Sequence, residues 1–334
     1  MTPDRHGKII SIVMPVFNDW ESLGLLLELI GKQDRIELYN IHVYVVDDCS
    51  SELPDTAALS ARKGKLASVH FIRLACNLGP MRAIAVGLVA ACQADVDAVI
   101  VMDADGEDRP EDVIRLIETW RENSSRIVVA QRAQRSEGFA FRAWYSIYKS
   151  IFRVLVGHTI NFGSFCILPR EALQALVHNP AIWNNLPATI IRSRMPFTRL
   201  QTNRGTRLFG KSRMNFESLA VHGVSVISVY ADIVLLRIIV AMCAFATVVI
   251  AALVGVIVVR FATDLAVPGW ASYIASSLII IFIQSLVFAG VALFQLLSSR
   301  TLKVFIPIFD AGAFVVGSGY SRDGQGAKIA MPFK

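Results

Sequence analysis

Residues 98–108 read AVIVMDADGED, in which five apolar residues, Ala98–Met102, run directly into a cluster of acidic side chains. A short apolar run bounded by polar residues predicts a buried β-strand. Asp103 and Asp105 then stand at the strand's carboxyl end, where carboxylate oxygens can hold Mg²⁺ or Mn²⁺ against a nucleotide diphosphate. A solvated turn or a helix cap is the alternative interpretation of the same residues.

Three further apolar, β-branched runs precede this strand, at Ile9–Phe17, Ile41–Val46 and Val69–Leu74. Helical patterns follow the first, third and fourth runs. Alternating strands and helices predict an α/β, Rossmann-type domain with a mostly parallel sheet and helices on both faces. Ligands of such sheets gather at the carboxyl ends of the strands. Since no GxGxxG or GxxxxGK[ST] motif follows any strand, neither a hydride-transfer dinucleotide fold nor a P-loop kinase is indicated.

The ends of the other strands predict a nucleotide-binding surface. Asp47, Asp48 and Ser50 follow the second strand, and their oxygens can accept hydrogen bonds from a nucleobase imide and a ribose hydroxyl. A helix N-cap is the alternative for these residues. The other candidates, for which ordinary turn chemistry is the alternative, are Pro15, Phe17, Asn18 and Glu21 under the base, and Asn77, Gly79 and Arg82 beneath ribose and phosphate.

Two long apolar stretches, residues 233–259 and 271–297, account for much of the 54% hydrophobic content. Each exceeds the roughly 20 residues that cross a hydrocarbon core, so they predict a transmembrane hairpin, with two buried core helices as the alternative. The start of the chain has no signal-peptide pattern, and the basic residues flank the hairpin, so we expect both termini in the cytosol. We attribute the net charge of +6 to a membrane surface and a diphosphate, and expect no nucleic-acid partner.

The motifs PVFND, VVDDCSS, NLG and MDADGEDRPED, in this order, resemble those of the family-2 glycosyltransferases. With the helical hairpin, the chain is most similar to their polyprenyl-phosphate sugar transferases. The resemblance implies a GT-A-like fold that binds a UDP- or GDP-sugar, with Asp103, Asp105 and Glu107 around the metal ion. It also implies that Asp47 and Asp48 lie at the base and ribose.

A basic segment, Arg204–Asn215, resembles the family's R-x-x-G-x-S-[KR] motif. Its cations can wrap a diphosphate and neutralise the leaving nucleotide, although a loop lying on anionic lipid headgroups would have the same composition. We therefore assign catalysis to Asp105, Arg207 and Arg213, and further donor contacts to Lys211 and Ser212.

Arg132, Arg135 and Arg142 precede a stretch of mixed aromatic, aliphatic and basic residues, 144–153, that is typical of a helix in the membrane interface. In relatives this region approaches the lipid-phosphate acceptor, so the three arginines are candidates for acceptor binding. A helix packed on the sheet is the alternative.

The resemblance and the residues together predict an inverting, metal-dependent hexosyltransferase that serves cell-envelope biogenesis. In the region after the DxD loop where many relatives carry the E-D pair that deprotonates a hydroxyl, this chain reads FGSFC at 162–166 and WNNL at 183–186. The lack of the pair there favours polyprenyl (undecaprenyl) phosphate as acceptor. The alternatives are a hydroxyl of a glycolipid or polysaccharide precursor, or a non-catalytic membrane scaffold, and the pattern is compatible with a homo-oligomer. The expected organisation, in the cytoplasmic (inner) membrane, is a catalytic domain over 1–214, a juxtamembrane amphipathic segment over 215–232, transmembrane helices over 233–259 and 271–297, a short extracytoplasmic loop over 260–270 and a cytosolic tail over 298–334.

Overall fold

The computed structural model divides into two compact units, which we call the sheet unit and the helical unit. The sheet unit holds the described residues up to 132, from 160 to 229 and from 305 to 316. The helical unit holds residues 153–157 and the described residues from 230 to 304. The structure describes residues 7–132, 153–157, 160–209, 216–263 and 269–316, and of 216–222 and 300 it describes the backbone alone.

The sheet unit is built on a seven-stranded sheet in the order β3-β2-β1-β4-β6-β5-β7. Strand β6 runs antiparallel to both of its neighbours, whereas the other neighbouring pairs are parallel. The mostly parallel α/β sheet predicted from the sequence is confirmed. The strands are β1 (Ile9–Val16), β2 (Asn40–Asp47), β3 (Ser68–Arg73), β4 (Ala98–Val101), β5 (Ile127–Arg132), β6 (Cys166–Pro169) and β7 (Phe197–Thr202).

Helices cover both faces of this sheet because its strands carry apolar side chains on both sides. On one face, Ile12 and Val43 pack in a core with residues of α1 and α4. On the other face, Val13 and Val46 pack with residues of α3 and α5. The helices are α1 (Trp20–Gly31), α2 (Thr56–Ala61), α3 (Pro80–Gln93), α4 (Pro110–Glu122), α5 (Arg170–Val177), α6 (Leu186–Arg192), α7 (Phe216–Val229), α8 (Ala231–Ala262), α9 (Trp270–Thr301) and α10 (Pro307–Asp310).

Strands β1 to β4 all end at the same edge of the sheet. Val16 pairs with Asp47, which pairs in turn with Arg73. The amide of Met102 donates to the carbonyl of Val13, so β4 ends beside β1. The segments that carry the predicted polar clusters therefore leave the sheet side by side.

Helices α8 and α9 are long and apolar enough to cross a membrane, and they contain the predicted spans 233–259 and 271–297. In the most apolar stretch of 18 residues in each helix, only 11% is buried. This is expected for helices that face lipid and not for the core helices of a soluble domain. Residues 305–316, which follow α9, belong to the sheet unit. Residues 216–229, within the segment 215–232 that was predicted to lie next to the membrane, form α7, which also lies in the sheet unit.

Candidate active site

The acidic residues after β4 form a compact loop, Asp103–Asp108, which we call the acidic loop. Its carboxylates accept hydrogen bonds from its own backbone: the amide of Asp103 donates to Asp108 Oδ2 at 3.1 Å, and that of Glu107 to Asp105 Oδ1 at 2.9 Å. Gly106 has a φ of +84°, a conformation that favours glycine. The loop therefore turns back on itself and keeps its acidic side chains together.

Arg132, at the end of β5, is an ion-pair partner of the acidic loop. Its Nη2 donates to Asp108 Oδ1 at 2.7 Å, and its Nη1 lies 3.7 Å from Glu107 Oε2. Asp108 is buried, so Arg132 supplies the charge that compensates its carboxylate. The sequence predicted acceptor binding for Arg132, whereas the described contacts place it on the acidic loop.

Two arginines from the loop after β7 reach the same cluster. Arg204 donates to the Glu107 carboxylate. Arg207 donates to the Asp19 carboxylate, and its Nη1 lies 3.7 Å from Asp105 Oδ2. The basic segment predicted to wrap a diphosphate thus begins against the acidic residues predicted to hold the metal ion.

Backbone contacts fix the described beginning of the basic segment, residues 204–209, on the acidic loop. The amide of Gly205 donates to the carbonyl of Glu107 at 2.8 Å, and that of Leu208 to the carbonyl of Asp105 at 3.0 Å. A Cβ on Gly106 would lie 2.4 Å from Leu208 Cγ, and a Cβ on Gly205 would lie 2.4 Å from the carbonyl oxygen of Gly106. Both glycines therefore allow the close approach, and the two loops form one site.

The carboxylates of this site are crowded. Burial and the neighbouring carboxylates of Asp108 and Asp105 raise the pKa of Asp103 to about 8. The pKa of Asp105 is also raised, first by burial and then by the charge of Glu107. Burial raises the pKa of Asp108 despite its bond to Arg132. Negative charge is thus undercompensated here, which is the electrostatic condition that a bound cation relieves.

Metal binding at this site needs ligands beyond the protein. Among the described residues no group of three His, Cys, Asp or Glu side chains is arranged to hold a metal ion. Mg²⁺ commonly takes only one or two protein carboxylates and completes its shell with water and substrate phosphates. The oxygen donors of Asp103 and Asp105 fit that mode, whereas the carboxylate of Glu107, the third predicted ligand, is engaged by Arg204 and Arg132.

The two aspartates at the end of β2, Asp47 in the strand and Asp48 directly after it, are buried and hold neighbouring loops together. Asp47 Oδ1 accepts from the amide of Ser50 at 2.8 Å. The two oxygens of Asp48 accept from the amides of Leu78 and Gly79, at 2.7 and 2.8 Å. Burial raises the pKa of Asp48, while these amide bonds and the charge of Arg82 oppose the rise. The predicted base and ribose contacts would use lone pairs that these amides leave available.

The loop after β1 is joined to the loop after β2. The amide of Asn18 donates to Ser50 Oγ at 2.9 Å, and Asn18 Oδ1 accepts from both the amide and the hydroxyl of Ser51. Asn18 and Cys49 have φ values of +52° and +61°, which non-glycine residues rarely adopt. Such strained backbone persists where the surrounding structure fixes it and is common at functional sites.

The remaining predicted donor residues lie near these loops. Asn77 Nδ2 donates to the carbonyl of Asp48 at 3.2 Å, and Arg82 is exposed in the first turn of α3. Pro15 is half-buried in β1, whereas Phe17 and Glu21 are exposed. The predicted residues outside the described part of the chain are Arg135, Arg142, Lys211, Ser212 and Arg213, together with most of the segment 144–153.

Three residues of this edge were not predicted from the sequence. Asp19 pairs with Arg207 across 188 positions of sequence, so no local pattern announces it. Arg73 donates to the carbonyl of Ser50 at 3.3 Å, and its Nε lies 3.8 Å from Asp47 Oδ2. Asp108 lies within the motif MDADGEDRPED, which did not by itself indicate a role for it. Its position could have indicated a role, because Asp108 is the third aspartate in a short loop that also contains Asp103 and Asp105.

Several proteins of known activity are similar to this chain. The bactoprenol glucosyl transferase of Shigella phage SfX is 26% identical over 172 residues, which cover 49% of this chain and 53% of the relative. The undecaprenyl-phosphate 4-deoxy-4-formamido-L-arabinose transferase of Yersinia enterocolitica is 24% identical over 223 residues, or 66% of each chain. The chain therefore spans about half the length of the first of these relatives and 66% of the second.

Solved structures similar to this chain have lower sequence identity. The glucosyl-3-phosphoglycerate synthase of Mycobacterium tuberculosis, in complex with Mn²⁺, UDP and glucosyl-3-phosphoglycerate, is 16% identical and has a TM-score of 0.47. The matched region covers 69% of this chain and 81% of the synthase chain. Residues 1–349 of S. aureus TarS are 16% identical with a TM-score of 0.45, over 69% of this chain and 65% of that chain.

The model of the family described as glycosyl transferase family 2 matches residues 11–177. This match covers half of the 334 residues, from β1 to the end of α5, and includes the acidic loop and both loops joined by Asn18. The resemblance inferred from the sequence motifs is thereby confirmed, and the chain belongs to glycosyl transferase family 2.

Proposed function

We propose that this chain transfers a sugar from a UDP- or GDP-linked donor to polyprenyl phosphate at the cytoplasmic membrane, with inversion at the anomeric carbon. The observation that carries the proposal is the contact between residues 204–209 and the acidic loop, at the carboxyl ends of the strands, where Asp47 and Asp48 also lie. Relatives named for bactoprenol and undecaprenyl-phosphate transfer support this class of acceptor.

Asp103 and Asp105 would hold Mg²⁺ or Mn²⁺ together with the donor diphosphate. When bound, the ion supplies positive charge to the diphosphate, which becomes a better leaving group as a result. The crowded carboxylates support this assignment, because the cation would remove the repulsion that raises the pKa of Asp103.

Residues of the chain would supply the rest of the leaving-group stabilisation. The guanidinium of Arg207 lies between Asp19 and Asp105. A diphosphate bound at this position would give that guanidinium two phosphate oxygens as further hydrogen-bond acceptors. Arg204, which is paired with Glu107, would donate to the diphosphate in the same way. These arginines would neutralise the negative charge that develops on the departing nucleotide.

The transfer itself is a direct displacement. An oxygen of the acceptor phosphate attacks the anomeric carbon and forms the new glycosidic bond, and the bond from that carbon to the donor's β-phosphate oxygen breaks. The bonding electron pair leaves with the nucleoside diphosphate. Since a phosphate is already anionic at neutral pH, no side chain has to remove a proton from it.

The hairpin of α8 and α9 would place the site at the membrane surface. The side chains of both helices are mostly exposed and apolar, which supports insertion into lipid. Residues on both sides of the hairpin, up to 229 and from 305, belong to the sheet unit. This supports a topology in which the chain returns to the side from which it entered, with both termini in the cytosol.

The proposal is tested by incubating the purified full-length protein with Mn²⁺, a panel of UDP- and GDP-sugars and undecaprenyl phosphate. We expect one donor to give both a glycosylated lipid and the free nucleoside diphosphate. Undecaprenol, which has the same chain without the phosphate, is the matched control and should give no product. Transfer to undecaprenol at the same rate would assign a hydroxyl acceptor instead, and no transfer from any donor would contradict the proposal.

A further inference from the structure

The segment Phe305–Val316, which we call the return segment, pairs with the end of β3, the outermost strand on one side of the sheet. This pairing lies next to the predicted donor loops. The amide of Ala75 donates to the carbonyl of Phe314 at 2.8 Å, and the amide of Val316 donates to the carbonyl of Arg73 at 2.9 Å. Leu74 and Val315 form an antiparallel bridge between these two bonds. The return segment therefore fixes the backbone where β3 ends and the loop to Gly79 begins.

The return segment also contributes two rings to an aromatic cluster. The ring centroid of Trp183 lies 4.1 Å from that of Phe305 and 5.4 Å from that of Phe314, and the two phenylalanine rings are 5.9 Å apart. All three side chains are half-buried. Aromatic pairs at these distances restrict one another's rotamers, so Trp183 is held in place by residues far away in the sequence.

One cation lies against this cluster. The guanidinium carbon of Arg82 is 5.8 Å from the ring centroid of Trp183, within the range of a cation–π contact. Arg82 follows Gly79 in the chain, and Gly79 donates its amide to Asp48. The charge of Arg82 also acts on Asp48. The aromatic cluster thus supports the cation next to the predicted ribose and phosphate contacts.

We propose that the return segment is a positioning element of the donor site, which orients Arg82 toward the anionic nucleotide through Trp183. This inference rests on the proposed function, because it takes the ends of β2 and β3 as the place where the nucleotide binds. Trp183 and the return segment both lie beyond the residues 11–177 that the family model matches. The chain that emerges from the membrane hairpin would then complete the nucleotide site.

A second contact extends the same role to Arg73. The return segment holds the backbone carbonyl of Arg73, and the side chain of Arg73 reaches the carbonyl of Ser50 and the carboxylate of Asp47. Two arginines beside the Asp47–Asp48 loop are therefore tied to the return segment, one through its backbone and one through Trp183. Simple packing at a sheet edge would need neither connection.

The test is a double-mutant cycle on the full-length protein in detergent, with the dissociation constants of UDP and GDP measured calorimetrically in the presence of Mn²⁺. For Trp183→Leu we expect weaker binding by about two- to fivefold, the value of an exposed cation–π contact. Trp183→Phe keeps a ring under Arg82 and should bind more tightly than Trp183→Leu. In the Arg82→Gln background, Trp183→Leu should cause no further loss, because the residues act through one contact.

A purely structural role of the cluster predicts a different pattern. The melting temperature would then fall, and Trp183→Leu would weaken nucleotide binding equally with and without Arg82. Such an equal effect in both backgrounds would overturn the inference. If Trp183→Leu does not fold, Phe314→Leu replaces it in the same cycle, since Trp183 is then retained but loses one supporting ring.

The failure of this inference can be told apart from that of the proposed function. Arg82→Gln protein that binds as tightly as the wild type would overturn the positioning role alone. Wild-type protein that binds neither UDP nor GDP would overturn the proposed donor site, and the inference with it.

Discussion

At the scale of single residues, the acidic loop is contacted by side chains that lie far from it in the sequence. Asp103 and Asp105 stand out because they follow a continuous apolar run, and the structure places them in one loop. Their neighbours Asp19 and Arg207 are far apart in the chain. Pairing of this kind depends on the path of two loops over the sheet, which no local pattern contains.

Gly106 is the residue on which the fit of the two loops depends most directly. Its φ of +84° is strained for any other residue, and an added methyl group would lie 2.4 Å from Leu208 Cγ. Overpacking of this kind costs about 1–3 kcal/mol. We expect Gly106→Ala to displace Leu208 and lower kcat/KM for the donor by about tenfold, which corresponds to about 1.4 kcal/mol. Steady-state kinetics with the donor varied measures this change.

Two further variants separate the clash from the backbone strain. Gly269 has a φ of +88° and nothing within 4 Å of an added Cβ, so Gly269→Ala introduces comparable strain without a clash. It should leave kcat/KM close to that of the wild type. Adding Leu208→Ala to Gly106→Ala removes the clashing side chain and should recover part of the activity. Equal activity of Gly106→Ala and wild type would show that the loops need not fit closely.

At the scale of secondary structure, strands β1 to β4 were predicted from the sequence, whereas β5, β6 and β7 were not. Strands β1 and β4 are nearly continuous apolar runs because both of their faces are covered by helices. Strand β7 lies at the sheet edge with half-exposed side chains, and β6 is four residues long, so neither gives a clear pattern. The direction of β6 is set by its place between β4 and β5, which is a property of the sheet.

The pairing of β2 with β3 contains two histidines. Ser68 Oγ lies 2.7 Å from His42 Nδ1 and 2.6 Å from His70 Nε2, so its hydroxyl can donate to one ring and accept from the other. The His42 and His70 rings are stacked 6.2 Å apart, and Tyr44 lies 5.1 Å from His70. Burial lowers the pKa of both histidines, and for His70 the neighbouring His42 lowers the pKa further.

This geometry predicts a loss of stability in mild acid. Below about pH 6.5 the unfolded chain binds protons at these positions that the folded chain does not, so the contribution of the two histidines to the free energy of unfolding falls as pH decreases. It levels off once the folded histidines are also protonated, and the stabilisation is complete above about pH 6.5. Because Asp103 titrates in both proteins, the comparison is with His70→Gln: between pH 7.5 and 5.5 we expect acidification to lower the melting temperature of the wild type in detergent relative to that of the variant. His178→Gln, on an exposed histidine, is the control and should behave as the wild type.

At the scale of the whole molecule, the chain combines a sheet unit with two exposed apolar helices. The length and composition of residues 233–259 and 271–297 were sufficient to predict these helices, because a span in lipid is defined by its own side chains. The return segment could not be predicted in this way. Its docking on β3 depends on backbone bonds and on Trp183, neither of which leaves a signal in its sequence.

The predicted topology can be tested by labelling with a membrane-impermeant maleimide. Cys76 is exposed in the sheet unit, and Thr263, at the end of α8, can be changed to cysteine. In intact spheroplasts we expect Thr263→Cys in a Cys76→Ser background to be labelled. Wild-type Cys76 should be labelled only after permeabilisation. The reverse pattern would place the sheet unit outside the cytosol.

The most direct test of the proposed metal–diphosphate site is electron paramagnetic resonance of Mn²⁺ titrated into the full-length protein, with and without UDP or GDP. Because Asp103 and Asp105 provide only part of a coordination shell, we expect tight binding of Mn²⁺ to require one of the nucleotides. Asp105→Asn should lose this binding, and the exposed Asp95→Asn should retain it. Nucleotide-dependent Mn²⁺ binding that is unchanged in Asp105→Asn, or its absence from the wild type, would contradict the site described here.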